Sequence, residues 1–132
     1  MKTGLFVLLA WCATGMSQDY IDIINDQARA FNSHDIQTMV SNLHADFKWY
    51  YVMDDELTLE TDSRDQFATN LKSYYTQFPE VRSQIVEYSI VGDKVSFKEE
   101  VHWTNDKGKK GVSTAIGVYQ FKGDKIYRVW YY

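Results

Sequence analysis

Cysteine is almost absent from this 132-residue chain, with Cys12 the only one. Proline is as scarce, with Pro79 alone. No apolar run approaches the ~20 residues that a membrane-spanning helix needs. There is no basic excess either. Acidic residues outnumber basic ones, 18 to 14, and the charges are scattered rather than gathered in a tail or arm. A nucleic-acid partner would need a basic footprint, so that class is excluded. The chain also has no glycine-rich phosphate loop, nucleophile elbow or metal-ligand motif. No cofactor and no metal are therefore expected.

What is present first is an export pattern. Met1-Lys2-Thr3 carries one positive charge, and Gly4 to Gly15 (GLFVLLAWCATG) follows without charge. A basic start, a short apolar core and small residues make a cleaved secretory signal. Gly15 and Ser17 suit the −3 and −1 positions, which places cleavage after Ser17, give or take a few residues. Leu9-Ala10-Trp11-Cys12 has the outline of a lipoprotein signal, but bulky Trp11 stands where a small residue is needed. A buried N-terminal helix fits less well still, because the run has no polar face. The expected organisation is a signal over 1–17 and one domain over 18–132, exported to the periplasm or secreted. Loss of the signal removes Cys12 and Lys2. The mature chain then has no thiol, and 13 basic residues face 18 acidic ones, from the 14 and 18 of the whole sequence. Its 115 or so residues suffice for one domain with a core.

Helical patterns come first along the chain. Tyr20, Ile23, Ile24, Gln27, Ala28 and Phe31 follow i, i+3, i+4, i+7 spacing and predict a helix over Asp19 to Phe31. Asn32-Ser33-His34-Asp35 breaks it and caps a second helix with the stripe Ile36, Met39, Val40, Leu43. Phe47 to Met53 reads as a strand, Asp54 to Glu56 as a turn, and Leu57 to Glu60 as a short strand. Ser63 and Gln66 form a capping box. The third helix carries Phe67, Leu71, Tyr74, Tyr75 and Phe78, and Pro79 ends it.

Beyond Pro79 the period changes from 3.6 to 2. Arg82–Val91, Lys94–Thr104, Gly111–Phe121 and Lys125–Tyr132 read as strands joined by hairpin turns. The fold class is therefore α+β: three N-terminal helices packed on a strongly curved antiparallel sheet, with a pocket between them.

Three stretches resemble the SnoaL-like group of the nuclear-transport-factor-2-like superfamily. They are Ala30 to Asp35 followed by Leu43-His44-Ala45-Asp46, then Val95 to Thr104, then Gly117 to Trp130. The resemblance implies a cone-shaped fold, a hydrophobic pocket and frequent dimers, here a homodimer through the sheet. It implies no single function, because the superfamily holds both enzymes and non-enzymes. Ketosteroid isomerases of this fold use a tyrosine, a carboxylate base and a late aspartate. Alignment on Asn32 puts those positions at Gln27, Val52 and Gly117, none with the required chemistry. A shift of one or two residues brings Tyr50, Tyr51 or Asp54 into play without restoring the set.

His102 is the remaining acid–base candidate. On its strand Val95, Phe97, Glu99, Val101 and Trp103 share one face, and Ser96, Lys98, Glu100, His102 and Thr104 share the other. Which face lines the pocket stays open, and so does the choice between Trp49 with Tyr51 and Lys48 with Tyr50. His34 and Asp35 read as a cap, and His44 and Asp46 lack the spacing of a metal site. The pocket is expected to draw on Trp49, Tyr51, Phe67, Leu71, Tyr75, Trp103, Tyr119 and Trp130. Two readings follow. One is an exported module that binds a small apolar or aromatic molecule without catalysis, and has no membrane contact once the signal is gone. The other is a hydratase, isomerase or lyase using His102. An accessory role in assembling another exported protein is neither supported nor excluded.

Overall fold

The computed structural model describes residues 10–132, with side chains from Ser17 onward. The start of the expected export signal, residues 1–9, lies outside the described residues. Helix α1 spans Ala10–Asn32. Tyr20, Ile24, Gln27 and Ala30 form its buried stripe, as the 3.6 period requires. Full burial of a side chain such as Ile24 stabilises by about 1.5–3 kcal/mol. Tyr20 is the first buried side chain along the described residues, and its ring stacks on Phe121 at 4.2 Å.

His34 adopts a left-handed backbone (φ 58°) at the break after α1. Asp35 then caps α2 (Ile36–Ser41), accepting from the Thr38 amide at 3.1 Å and the Thr38 hydroxyl at 2.6 Å. Strand β1 (Leu43–Met53) starts earlier than the aromatic run suggested, because Leu43 pairs with Ile126. A turn through Asp54 and Asp55 leads into β2 (Glu56–Thr61). The capping box opens α3 (Arg64–Gln77). Ser63 Oγ accepts from the Gln66 amide at 3.1 Å, and Gln66 Oε1 accepts from the Asp62 amide at 2.8 Å.

Four strands follow: β3 (Arg82–Val91), β4 (Lys94–Thr104), β5 (Lys110–Lys122) and β6 (Lys125–Tyr131). They make the expected antiparallel meander. The sheet order is β2-β1-β6-β5-β4-β3. One pair departs from the antiparallel expectation, since β1 runs parallel to β6. The β1–β2 hairpin joins the meander at the β6 edge, and α3 carries the chain back to the opposite edge at β3. Register shifts at Trp49/Tyr50, Val86/Tyr88 and Gln120/Phe121 bend the sheet, with Glu87 left-handed (φ 57°) inside the second. The helices lie against the concave face, where Phe47, Val95, Phe97, Ile126 and Val129 are buried. Among the described residues no helix is long and apolar enough to cross a membrane.

Candidate ligand-binding site

Between helices and sheet lies a cavity of about 290 Å³. Its roof comes from Ile24, Gln27 and Phe31 on α1 and from Phe67, Leu71 and Tyr74 on α3. Its floor comes from Trp49 and Tyr51 on β1, Glu99 and Val101 on β4, Tyr119 on β5, and Tyr131 on β6. Strand alternation explains this selection, because every second side chain of each strand points the same way. On β4 the inward set is the one that contains buried Val95 and Phe97. On β1 the inward pair is Trp49 and Tyr51, whose rings stand 5.6 Å apart.

Of the candidates read from the sequence, Trp49, Tyr51, Phe67, Leu71 and Tyr119 line this cavity. Three other candidates do not line the cavity. Tyr75 is buried beneath the α1–α2 junction. Its hydroxyl donates to the Phe31 carbonyl at 2.8 Å, and its ring stacks on His34 at 3.9 Å. Trp103 has the inward parity but lies farther along β4, at a separate open groove. There its Nε1 donates to Ser113 Oγ at 3.0 Å. Trp130 points outward, because its neighbours Val129 and Tyr131 point in, and it stacks on Tyr50 at 6.0 Å.

His102 is exposed and also lies outside the cavity, along the same open groove as Trp103. It shares the outward face with Glu100, which pairs instead with Lys98 at 3.5 Å. A role in acid–base chemistry inside the cavity is therefore closed to it. Exposed Val112 and Ile116 belong to the same outer side of the sheet. His44 Nδ1 accepts from the Asp46 amide at 3.0 Å. Among the described residues, no three His, Cys, Asp or Glu side chains are grouped to hold a metal.

The three positions compared with ketosteroid isomerase have plain structural roles. Gln27 is buried in the cavity wall, where its Oε1 accepts from Asn42 Nδ2 at 2.9 Å. Val52 does not reach the cavity. Gly117 is covered by the Phe97 ring, and a β-carbon there would lie 2.6 Å from two ring atoms. No aspartate fits at Gly117 while Phe97 stays in place.

The polar groups of the cavity gather around Glu99, which sequence reasoning did not single out. The Glu99 carboxylate accepts a hydrogen bond from Ser83 Oγ. Ser83 is itself clamped by Asn32, which donates to the Ser83 carbonyl at 2.9 Å and accepts from its amide at 2.7 Å. The Tyr119 and Tyr131 hydroxyls lie 3.3 Å apart. Burial pushes both phenols well above the ordinary tyrosine value, and the charge of Glu99 pushes them further. Tyr51 is raised by burial, then by Glu60 and Glu99. Tyr74 is raised by burial, then by Tyr51 and Glu99. The phenols are thus neutral hydrogen-bonding groups around a carboxylate. The Trp49 Nε1 donor is buried without a hydrogen-bond partner among the described residues. The signal for Glu99 was a single charge on an otherwise apolar strand face, which is unusual in a core.

A family model described as SnoaL-like domain matches residues 24–129. No curated protein matches the sequence. The fold is similar to that of an uncharacterised cystatin-fold protein from Novosphingobium aromaticivorans, with a TM-score of 0.71 and 21% identity over 84% of this chain and 95% of that one. An NTF2-like protein of unknown function from Burkholderia pseudomallei gives a TM-score of 0.74 at 14% identity, over 86% of this chain and 89% of that one. IdmH, a putative polyketide cyclase from Streptomyces antibioticus, gives 0.71 at 19% identity, over 84% and 88%. At these identities the likeness is one of fold.

Proposed function

The chain belongs to the SnoaL-like domain family, and from that premise we propose that it holds a small, largely apolar molecule in the cavity between its helices and sheet. The observation that carries this reading is the cavity itself: about 290 Å³, walled mainly by aromatic and aliphatic side chains, with a few polar groups converging in it. Such a combination is the usual build of a small-molecule site, where apolar walls supply affinity and sparse polar groups supply orientation. That a similarly folded protein is a putative polyketide cyclase agrees with a cavity suited to organic molecules.

The same reading treats the protein as exported and non-catalytic. Export rests on the basic start and the uncharged run Gly4 to Gly15. Cleavage after Ser17 would shorten α1 but keep the part of it that carries buried Tyr20, Ile24, Gln27 and Ala30. The non-catalytic part rests on Gln27, Val52 and Gly117, and on the distance of His102 from the cavity. Titration with a panel of hydrophobic molecules, followed by tryptophan emission, tests the reading. Trp49 in the cavity wall should report a saturable change, and no response from any molecule would count against it.

A further inference from the structure

The cavity walls carry charge of one sign only. Glu60 and Glu99 line it, and among the described residues no lysine, arginine or histidine does. Glu60 is exposed at the rim, whereas Glu99 is half-buried. Neither carboxylate has a cationic side chain within ion-pair distance among the described residues; the ion pairs present involve other acids. The Ser83 and Tyr131 hydroxyls that hydrogen-bond to Glu99 carry no charge. A carboxylate withdrawn from water without a counter-charge is costly. Eight aromatic residues complete the wall, among them Trp49, Tyr51, Tyr74 and Tyr131. Aromatic faces carry negative potential and attract cations, most of all in a desolvated cage.

We propose that the occupant is a cation: an apolar amine or quaternary ammonium whose charge sits between the Glu99 carboxylate and the faces of the surrounding aromatic rings. This rests on the binding reading above and names the ligand class of the same cavity. An anion meets two carboxylates and no counter-charge. A neutral molecule gains the apolar contact but supplies no counter-charge to Glu99. The net charge of −4 favours the approach of a cation as well.

The test is a matched pair of probes, phenyltrimethylammonium and its neutral carbon isostere tert-butylbenzene, titrated into the full chain and into Glu99→Gln. The expected result is about tenfold tighter binding of the ammonium by the wild type. In Glu99→Gln that preference should shrink to about threefold or less, with tert-butylbenzene unaffected, since glutamine keeps a hydrogen-bond acceptor for Ser83. Equal binding of the two probes by the wild type overturns the cation inference and leaves the apolar cavity reading standing. Binding of neither overturns both. A preference that survives unchanged in Glu99→Gln removes Glu99 from the account. Should Glu99→Gln fail to fold, the wild-type ratio still decides the ligand class.

Discussion

The Phe97 ring lies across its cross-strand partner Gly117, so close that a β-carbon at Gly117 would sit 2.6 Å from ring atoms Cε2 and Cζ. Phe97 is only 2% exposed, and its ring packs edge-on against Tyr119 and Tyr131. Gly117→Ala should therefore destabilise the fold by about 1–3 kcal/mol through overpacking. Phe97→Leu in the same chain should relieve part of that loss. Denaturant unfolding of the two single variants and the double measures this. A double variant that loses the full sum would show that the ring does not set the constraint.

The Asn32 side chain ties the end of α1 to the edge strand β3 through the Ser83 amide and carbonyl. Asn32→Ala removes both bonds and leaves a buried backbone donor unpaired, a loss of about 2–3 kcal/mol. Ser33→Ala, where the lost hydroxyl bonds to the Arg29 and Ala30 carbonyls of the preceding helix turn, should change stability by less than about 0.5 kcal/mol. Urea midpoints of the two variants give the comparison. Equal midpoints would show that the Asn32 clamp contributes nothing particular.

Stability should fall at both ends of the pH scale. The Asn42 amide, followed by Arg29, holds the Asp26 carboxyl below its ordinary value of 3.8, and Thr38 does the same for Asp35. A depressed carboxyl contributes stability above the unfolded value of 3.8, and that contribution is lost as pH falls through the folded value. Burial raises Tyr75, Tyr119 and Tyr131 above 10.0. Their contribution is complete below pH 10 and is lost as pH rises beyond it. Urea midpoints should be flat between these limits and decline outside them, and Asp26→Asn should soften the acid limb. Phenolate absorbance appearing in one step at the ordinary tyrosine value, for all ten tyrosines, would contradict the alkaline part.

Much of the fold could be read from local pattern. The hairpin turns after Val91 and Phe121, the capping box at Ser63 and the stop at Pro79 each depend on a few neighbouring residues, and each appears in the structure. The start of β1 was hidden because His44, Ala45 and Asp46 look like loop until Leu43 meets Ile126 from the far end of the chain. The parallel β1–β6 pair has the same long-range origin. At the site, alternation sorted β4 into two faces, but which face became concave depended on the curvature of the whole sheet. Buried Val95 and Phe97 decide that Glu99 faces the cavity and His102 does not. Aromatic richness drew in Trp49 and Tyr51, which line the cavity, and also Trp130, whose parity is opposite to that of its inward neighbours Val129 and Tyr131.

The central claim is that the space between α1, α3 and the sheet binds a small molecule. Ala28 lines it from α1, and Ala28→Phe would fill part of it while leaving the sheet untouched. The decisive measurement is a phenyltrimethylammonium titration of the wild type and of Ala28→Phe, followed by tryptophan emission. The wild type should saturate, and a folded Ala28→Phe should lose about tenfold or more in affinity. Equal affinity in both would place the bound molecule outside the cavity and contradict the account.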